Sequence, residues 1–225
     1  MTNKYESFNL EIEDNIANII LSRPEQLNSM SRKFWVELPE ILEEVNRNSE
    51  IRVLIISSTG KHFCAGMDLS AFDNGVANIP KEKRPDNARI GEALYRSAKE
   101  LQEYISKLEK IRVPVIAAIH GGCIGGAVDL VTACDIRLAT TDAFFCIQEI
   151  NIGMAADVGT LQRLPRIIPD SKMRELAYTG RRMLADEAKE SGLVSDVYNS
   201  QEEMVNAAKE MANEIAKKSP IAIYG

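Results

Sequence analysis

The stretch Pro114-Val115-Ile116-Ala117-Ala118-Ile119, continuing through His120-Gly121-Gly122-Cys123-Ile124-Gly125-Gly126 into Ala127-Val128-Asp129-Leu130-Val131-Thr132-Ala133, joins a core strand to an apolar helix through a glycine-rich turn. Such a turn presents backbone N–H groups, and the dipole of the helix it opens adds positive potential. That combination suits an oxyanion. No Gly-Lys-Ser/Thr follows, so this is not a phosphate-binding P-loop, and the glycines do not keep dinucleotide-fold spacing. Taken alone, they serve tight packing equally well.

Outward from this segment, strand-like and helix-like stretches alternate, which is the α/β pattern. Residues 8–13 and 16–22 read as a hairpin turning at Asp14-Asn15. Arg23 to Ser29 is a loop. Residues 31–47 carry an amphipathic helix with Phe34, Trp35, Leu38, Ile41, Leu42 and Val45 on one face, and Pro39 within it predicts a kink or a late start. Arg52 to Ser57 is a short buried strand, followed by a turn over Lys61 to Asp68. Residues 73–88 are rich in Asn, Pro, Gly and charge and read as a loop. Residues 90–110 form a second amphipathic helix. Strands are expected at Asp135 to Ala139, Phe144 to Ile147 and Leu193 to Tyr198, with the remainder mostly helical.

Composition narrows the function classes. The chain has 225 residues, 45% hydrophobic and 27% charged, as an ordinary folded domain does. Its net charge of −6, with no long basic run, argues against nucleic acid as the main partner. It does not exclude an anionic small ligand, because local fields differ from net charge. No apolar run is long enough for a membrane helix. No secretory or transit segment is visible in residues 1–11. Cys64, Cys123, Cys134 and Cys146 form no CxxC pair, and with only His62 and His120 a histidine-based zinc site is not expected.

Chemistry has few places to sit. A second turn, Phe63-Cys64-Ala65-Gly66-Met67-Asp68, also follows a core strand and is expected to open a short helix. It offers another N–H, and oxyanion holes commonly use two donors. Asp129 lies in an otherwise apolar helix. Burying a lone carboxylate is costly, so it is paired (Arg137 and Arg163 are candidates), protonated or functional. Glu149 ends the run Phe144 to Gln148, where solvated surface is the plain expectation. Asp157, before Val158-Gly159-Thr160, competes as an ordinary helix N-cap. Asp135 reads as structural. The His62/Cys64 and His120/Cys123 pairs sit on turns, without an evident orienting third residue for nucleophilic catalysis. No G-x-S-x-G elbow exists.

Together these segments resemble the crotonase, or enoyl-CoA hydratase/isomerase, family. The resemblance rests on Ile19-Ile20-Leu21-Ser22-Arg23-Pro24 with Asn28, on His62 to Leu69, on Pro114 to Arg137 and on Glu149 to Arg163, in order and with family-like spacing. It implies a crotonase-like ββα spiral over 1–198, with 199–225 starting a C-terminal helical region that family members carry further. The helical part is therefore expected to be truncated at Gly225. It also implies an acyl-CoA thioester substrate, no cofactor beyond the CoA of that substrate, no metal, and, if the C-terminal region is complete, a homotrimer or homohexamer. The backbone oxyanion hole would fall on Met67 and Gly126, and the acyl-CoA would be gripped by Ala65, Gly66, Met67, Asp68, Leu69 and Gly126.

Within the family, the acids resemble the dienoyl-CoA isomerase branch more than the hydratases. Hydratases use two Glu residues to activate water. Here the first of those positions is Asp129, the second is Glu149, and a third acid, Asp157, stands where hydratases typically have none. The resemblance thus implies catalytic roles for Asp129, Glu149 and Asp157 and a peroxisomal or mitochondrial location. A hydratase, a Δ3,Δ2-enoyl isomerase and a non-catalytic acyl-CoA-binding scaffold remain the competing readings.

Overall fold

A computed structural model describes residues 4–68 and 86–225. Alternating apolar residues at the start of the chain build β1 (Phe8–Glu13) and β2 (Ile16–Leu21), paired antiparallel from Phe8↔Leu21 to Glu13↔Ile16. Asp14 and Asn15 close the hairpin at positive φ, a conformation these short polar residues tolerate. β3 (Val53–Ser58), β4 (Val115–Ile119), β6 (Ile136–Thr140) and β9 (Asp196–Tyr198) then add in parallel, giving a six-stranded sheet in the order β1-β2-β3-β4-β6-β9.

The chain leaves this sheet after β4 and again after β6 to enter a second, three-stranded sheet. There β5 (Gly122–Ile124) runs parallel to β7 (Phe144–Cys146), and β8 (Met183–Leu184) runs antiparallel to β7. Strand in one sheet, strand in the other, then helix: this is the ββα unit of the expected spiral. The glycine segment is therefore only partly turn, since Gly122 to Ile124 is a strand. Gly121 makes the corner at φ +56°, and a Cβ there would lie 2.3 Å from the Lys61 carbonyl oxygen.

Helix α1 (Arg32–Arg47) starts at Ser31, whose hydroxyl accepts from Phe34 N–H. It runs unbroken through Pro39, so the late start does not occur. Phe34, Trp35 and Leu38 ahead of the proline are all buried, and their burial outweighs one missing helix hydrogen bond. α2 (Asn87–Lys110) begins three residues before the expected 90, capped by the Asp86 carboxylate. The loop expected over 73–88 thus ends at the cap, and 73–85 lie outside the described residues. Only Ile105 and Leu108 of α2 are fully buried. α3 (Gly126–Thr132) is buried throughout. α4 (Thr160–Arg163), α5 (Asp170–Thr179), α6 (Ala185–Glu190), α7 (Gln201–Ala216) and α8 (Pro220–Tyr224) complete the chain. None of the described helices is long and apolar enough to cross a membrane.

The middle of the large sheet, β3 and β4, is buried on both faces, which explains the unbroken apolar run in β3. Leu54 and Ile56 face the main core, while Val53 and Ile55 face a second one with Ile116, Ala118 and Leu138. α7 covers that second face with Met204, Ala208 and Ala212, one turn apart.

Asn28 fixes the loop beside this core. It is buried at φ +53°, its Oδ1 accepts from Arg23 N–H, and its Nδ2 donates to Thr59 O and His62 O. Asn28→Ala leaves three backbone groups unpaired and is expected to cost about 3 kcal/mol in urea unfolding. An unchanged midpoint would contradict this assignment.

Candidate active site

The two turns singled out in the sequence are stitched together by backbone. Phe63 N–H donates to His120 O (2.8 Å), Cys64 N–H to Gly122 O (3.1 Å) and Ile124 N–H to Cys64 O (3.1 Å), so Cys64 and Cys123 form a parallel bridge. A second parallel bridge, Met30↔Met67, holds the far side of the first turn: Met30 N–H donates to Gly66 O and Asp68 N–H to Met30 O. Ala65 N–H goes to Leu27 O and Gly66 N–H to the Cys64 sulfur. Every N–H from Cys64 to Asp68 is therefore engaged except that of Met67, which has no partner among the described residues. Gly126 N–H, the first of α3, has none either, as the opening N–H groups of a helix do not. A Cβ on Gly126 would lie 3.9 Å from Met67 N and 2.9 Å from the Met30 sulfur, so two unpaired donors sit close together and a side chain at 126 would have to push the Met30 thioether aside. The short helix expected after Asp68 would fall outside the described residues.

These donors open into a cavity of about 390 Å³. Ala65, Gly66, Met67, Gly126, Asp129, Glu149 and Asp157 all line it, with Trp35, Ile124, Ile152, Met154 and Val158 supplying apolar wall. The structure thus brings together most of the residues expected at the site. Asp68 is not among the lining residues, and Leu69 lies outside the described residues. Trp35, Gln148 and Arg182 line the cavity without having been anticipated. Trp35 reads from sequence as one more apolar residue on the buried face of α1. Its indole N–H in fact donates to the Met67 sulfur (3.3 Å).

The three acids occupy different environments. Asp129 is 1% exposed, and its Oδ1 accepts from Thr160 N–H at 2.6 Å. Burial pushes its pKa up to about 6, against the Thr160 hydrogen bonding and the Arg163 charge. It makes no salt bridge among the described residues. Arg137 donates instead to the carbonyls of Leu193, Val131 and Cys134, and Arg163 to Glu109, Ser106 and Val158 O. Glu149 opens a 3-10 turn (Glu149–Ile152) and is half-buried, not solvated. Its Oε2 is buried with no hydrogen-bond partner among the described residues. Burial raises its pKa to about 7, partly offset by its own backbone, with the charges of Asp129 and Asp157 adding to the rise.

Asp157 does not cap α4. Gly159 holds the N-cap position, and Thr160 N–H is taken by Asp129 from another helix. The carboxylate of Asp157 is left for the cavity. Its turn is braced by Gln102 Nε2 donating to Asp157 O (2.6 Å) and Arg163 Nη1 to Val158 O (3.2 Å). Gly159, at φ +129°, is required there, since a Cβ would fall 1.6 Å from Arg163 Nη1.

Neither Cys–His pair is a nucleophile. Burial pushes the Cys64 thiol up to about 12 and the Cys123 thiol well above its usual range. His62 Nδ1 is occupied by Gly122 N–H, and His120 Nε2 by Gly60 O.

Because Glu149 holds its proton more tightly folded than unfolded, it favours folding below its ordinary pKa of 4.5, and that contribution is lost as pH rises through about 7. Glu149→Gln carries no such liability. At pH 8 it is expected to be more stable than the wild type by about 1–3 kcal/mol in urea unfolding, with the two converging near pH 4.5. Equal stability at both pH values would contradict the buried, unpaired carboxyl.

Comparison with known proteins follows the same line. The enoyl-CoA hydratase/isomerase family profile matches residues 11–224. The chain is 45% identical over 223 residues to the mitochondrial Δ(3,5)-Δ(2,4)-dienoyl-CoA isomerase of Rattus norvegicus, covering 98% of this chain and 67% of that one. It is 44% identical over 213 residues to the peroxisomal Δ(3,5)-Δ(2,4)-dienoyl-CoA isomerase of Arabidopsis thaliana, covering 95% and 76%. Among solved structures, the enoyl-CoA hydratase of Bacillus anthracis superimposes with a TM-score of 0.84 at 32% identity, over 97% of this chain and 80% of that one. The chain spans about two thirds of the length of the rat relative. With that profile over nearly its whole length and these relatives beside it, the chain belongs to the enoyl-CoA hydratase/isomerase family.

Proposed function

We propose that this protein is a dienoyl-CoA isomerase that converts 3,5-dienoyl-CoA thioesters to their 2,4-dienoyl isomers in fatty-acid β-oxidation. The observation that carries the reading is Asp157, which lines the same cavity as Glu149 and is released from helix capping by Asp129. The relatives named as dienoyl-CoA isomerases support it.

In this mechanism the thioester carbonyl oxygen sits at the N–H groups of Met67 and Gly126. Glu149 takes a proton from C2, which lies between the thioester and the diene. The electron pair moves onto the carbonyl oxygen to give a trienolate, whose charge the two N–H groups stabilise. Such preorganised donors contribute about 10²–10³ in rate each. Asp157, at the far end of the conjugated system, gives a proton to C6, and two double bonds shift. Apolar wall around Glu149 keeps its pKa near 7, where a base is effective at neutral pH. Asp129 acts through position: it holds the Thr160 turn that carries Asp157.

A hydratase needs two carboxylates free to hold water. Asp129 Oδ1 accepts from Thr160 N–H, and Asp157 adds a third acid to the cavity that water addition does not call for, which favours the isomerase reading. The CoA moiety belongs to the substrate, and no further cofactor takes part. By the family resemblance the working assembly is a homotrimer or homohexamer. The names of the relatives support a mitochondrial or peroxisomal location.

Incubation with 3,5-octadienoyl-CoA is expected to produce the ultraviolet absorbance of the 2,4-dienoyl chromophore, with little hydration of 2-octenoyl-CoA in parallel. Glu149→Gln and Asp157→Asn should each lower turnover by about 10²–10⁴ while the fold is kept. Hydration alone, or full activity in Asp157→Asn, would overturn the reading.

A further inference from the structure

The pairing between the two turns contains one irregular rung. In a parallel ladder that pairs Cys64 with Cys123, Gly122 N–H is the donor expected at the carbonyl of His62. That carbonyl instead accepts from the Asn28 side chain at 3.0 Å. Gly122 N–H turns to the His62 ring and donates to Nδ1 at 2.9 Å. The ring has been given room to do this: a Cβ on Gly121 would lie 3.0 Å from Nδ1, and one on Gly122 3.2 Å. The paired glycines at the head of the turn therefore have a second use beyond the corner itself. They admit an imidazole that replaces a backbone acceptor.

This rung lies at the head of both segments that end in unpaired N–H groups. From His62 the chain runs through the Cys64 bridge to Met67, and from Gly122 through the same bridge to Gly126. The tolerance is small, because a Cβ on Gly66 would already be 2.6 Å from Ile124 O. We infer that His62, in its neutral form with the hydrogen on Nε2, is a positioning residue that holds the Met67 and Gly126 N–H groups in register through the hydrogen bond its Nδ1 accepts from Gly122. The catalytic consequence rests on the oxyanion-hole reading above, whereas the structural one does not.

The arrangement is sensitive to protonation. A proton on Nδ1 removes the lone pair and sets two donors against each other. Burial opposes that proton first, helped by the positive charge of Lys61, by His120 and by Arg182, while Asp142 pulls the other way. Arg182 lies over the Phe144 ring, which meets the His62 ring edge-on at 6.0 Å between centroids. The rung is thus intact at neutral pH and is lost on acidification below the ordinary histidine range.

Two variants separate position from bulk. In His62→Asn the side-chain oxygen stands where Nδ1 stands and accepts the same bond, without titrating. His62→Leu fills the space and accepts nothing. With 3,5-octadienoyl-CoA, His62→Leu is expected to lose about tenfold in kcat with little change in KM, as small displacements of a preorganised site do. His62→Asn should stay within about threefold of wild type. The acid limb of the wild-type kcat profile should be steeper than that of His62→Asn, which keeps the cavity carboxyls but lacks the imidazole titration. Amide NMR spectra give the readout that needs no turnover. The Gly122, Met67 and Gly126 cross-peaks should move in His62→Leu and stay near their wild-type places in His62→Asn. Wild-type cross-peaks in His62→Leu would overturn the inference whether or not the protein is an isomerase. Wild-type kcat in His62→Leu with shifted cross-peaks would overturn its catalytic part and leave the isomerase reading standing.

Discussion

A three-bond stitch between two turns, centred on Cys64 and Cys123, is the constraint on which the rest of the site depends. It joins the segment that follows β3 to β5, the segment that follows β4. Around it, each turn spends its N–H groups on fixing itself: Cys64, Ala65, Gly66 and Asp68 all donate, and Met67 is left over. Gly126 is left over for a different reason, as the opening residue of a helix. Two unpaired donors side by side in an apolar cavity are costly to fold, and they are what a developing negative charge on oxygen requires.

The acids divide along the same lines. Asp129 is the most buried of the three and has a partner, so its work is to hold a turn. Glu149 is less buried but has a partnerless oxygen, and its pKa rises to about 7. Asp157 is exposed and lines the same cavity. Burial that would be a defect elsewhere would, on the proposed mechanism, tune Glu149 as a base. Stability is given up where chemistry is expected.

Much of this was legible in the sequence. The alternation of apolar strands with amphipathic helices marked an α/β chain, and the two glycine turns and three acids marked the site. What escaped had physical causes. Pro39 argued for a kink or a late start, but burial of Phe34, Trp35 and Leu38 ahead of it starts the helix at Arg32. Residues 122–124 read as turn because a three-residue strand leaves no periodic signal. Asp157 read locally as a helix cap. Its release depends on Asp129, 28 positions earlier, which no window of neighbouring residues contains. Arg182 and Gln148 reach the cavity through the small sheet and a 3-10 turn, and neither carries a pattern of its own.

The central claim is that Glu149 and Asp157 act on opposite ends of one conjugated system. Isotope exchange in D₂O tests it most directly. With 3,5-octadienoyl-CoA the wild type should place deuterium at C6 of the 2,4-dienoyl product. Asp157→Asn should still exchange the C2 hydrogens of the unreacted substrate with solvent while forming almost no product. Loss of C2 exchange in Asp157→Asn, or undiminished C6 labelling by that variant, would contradict the division of labour.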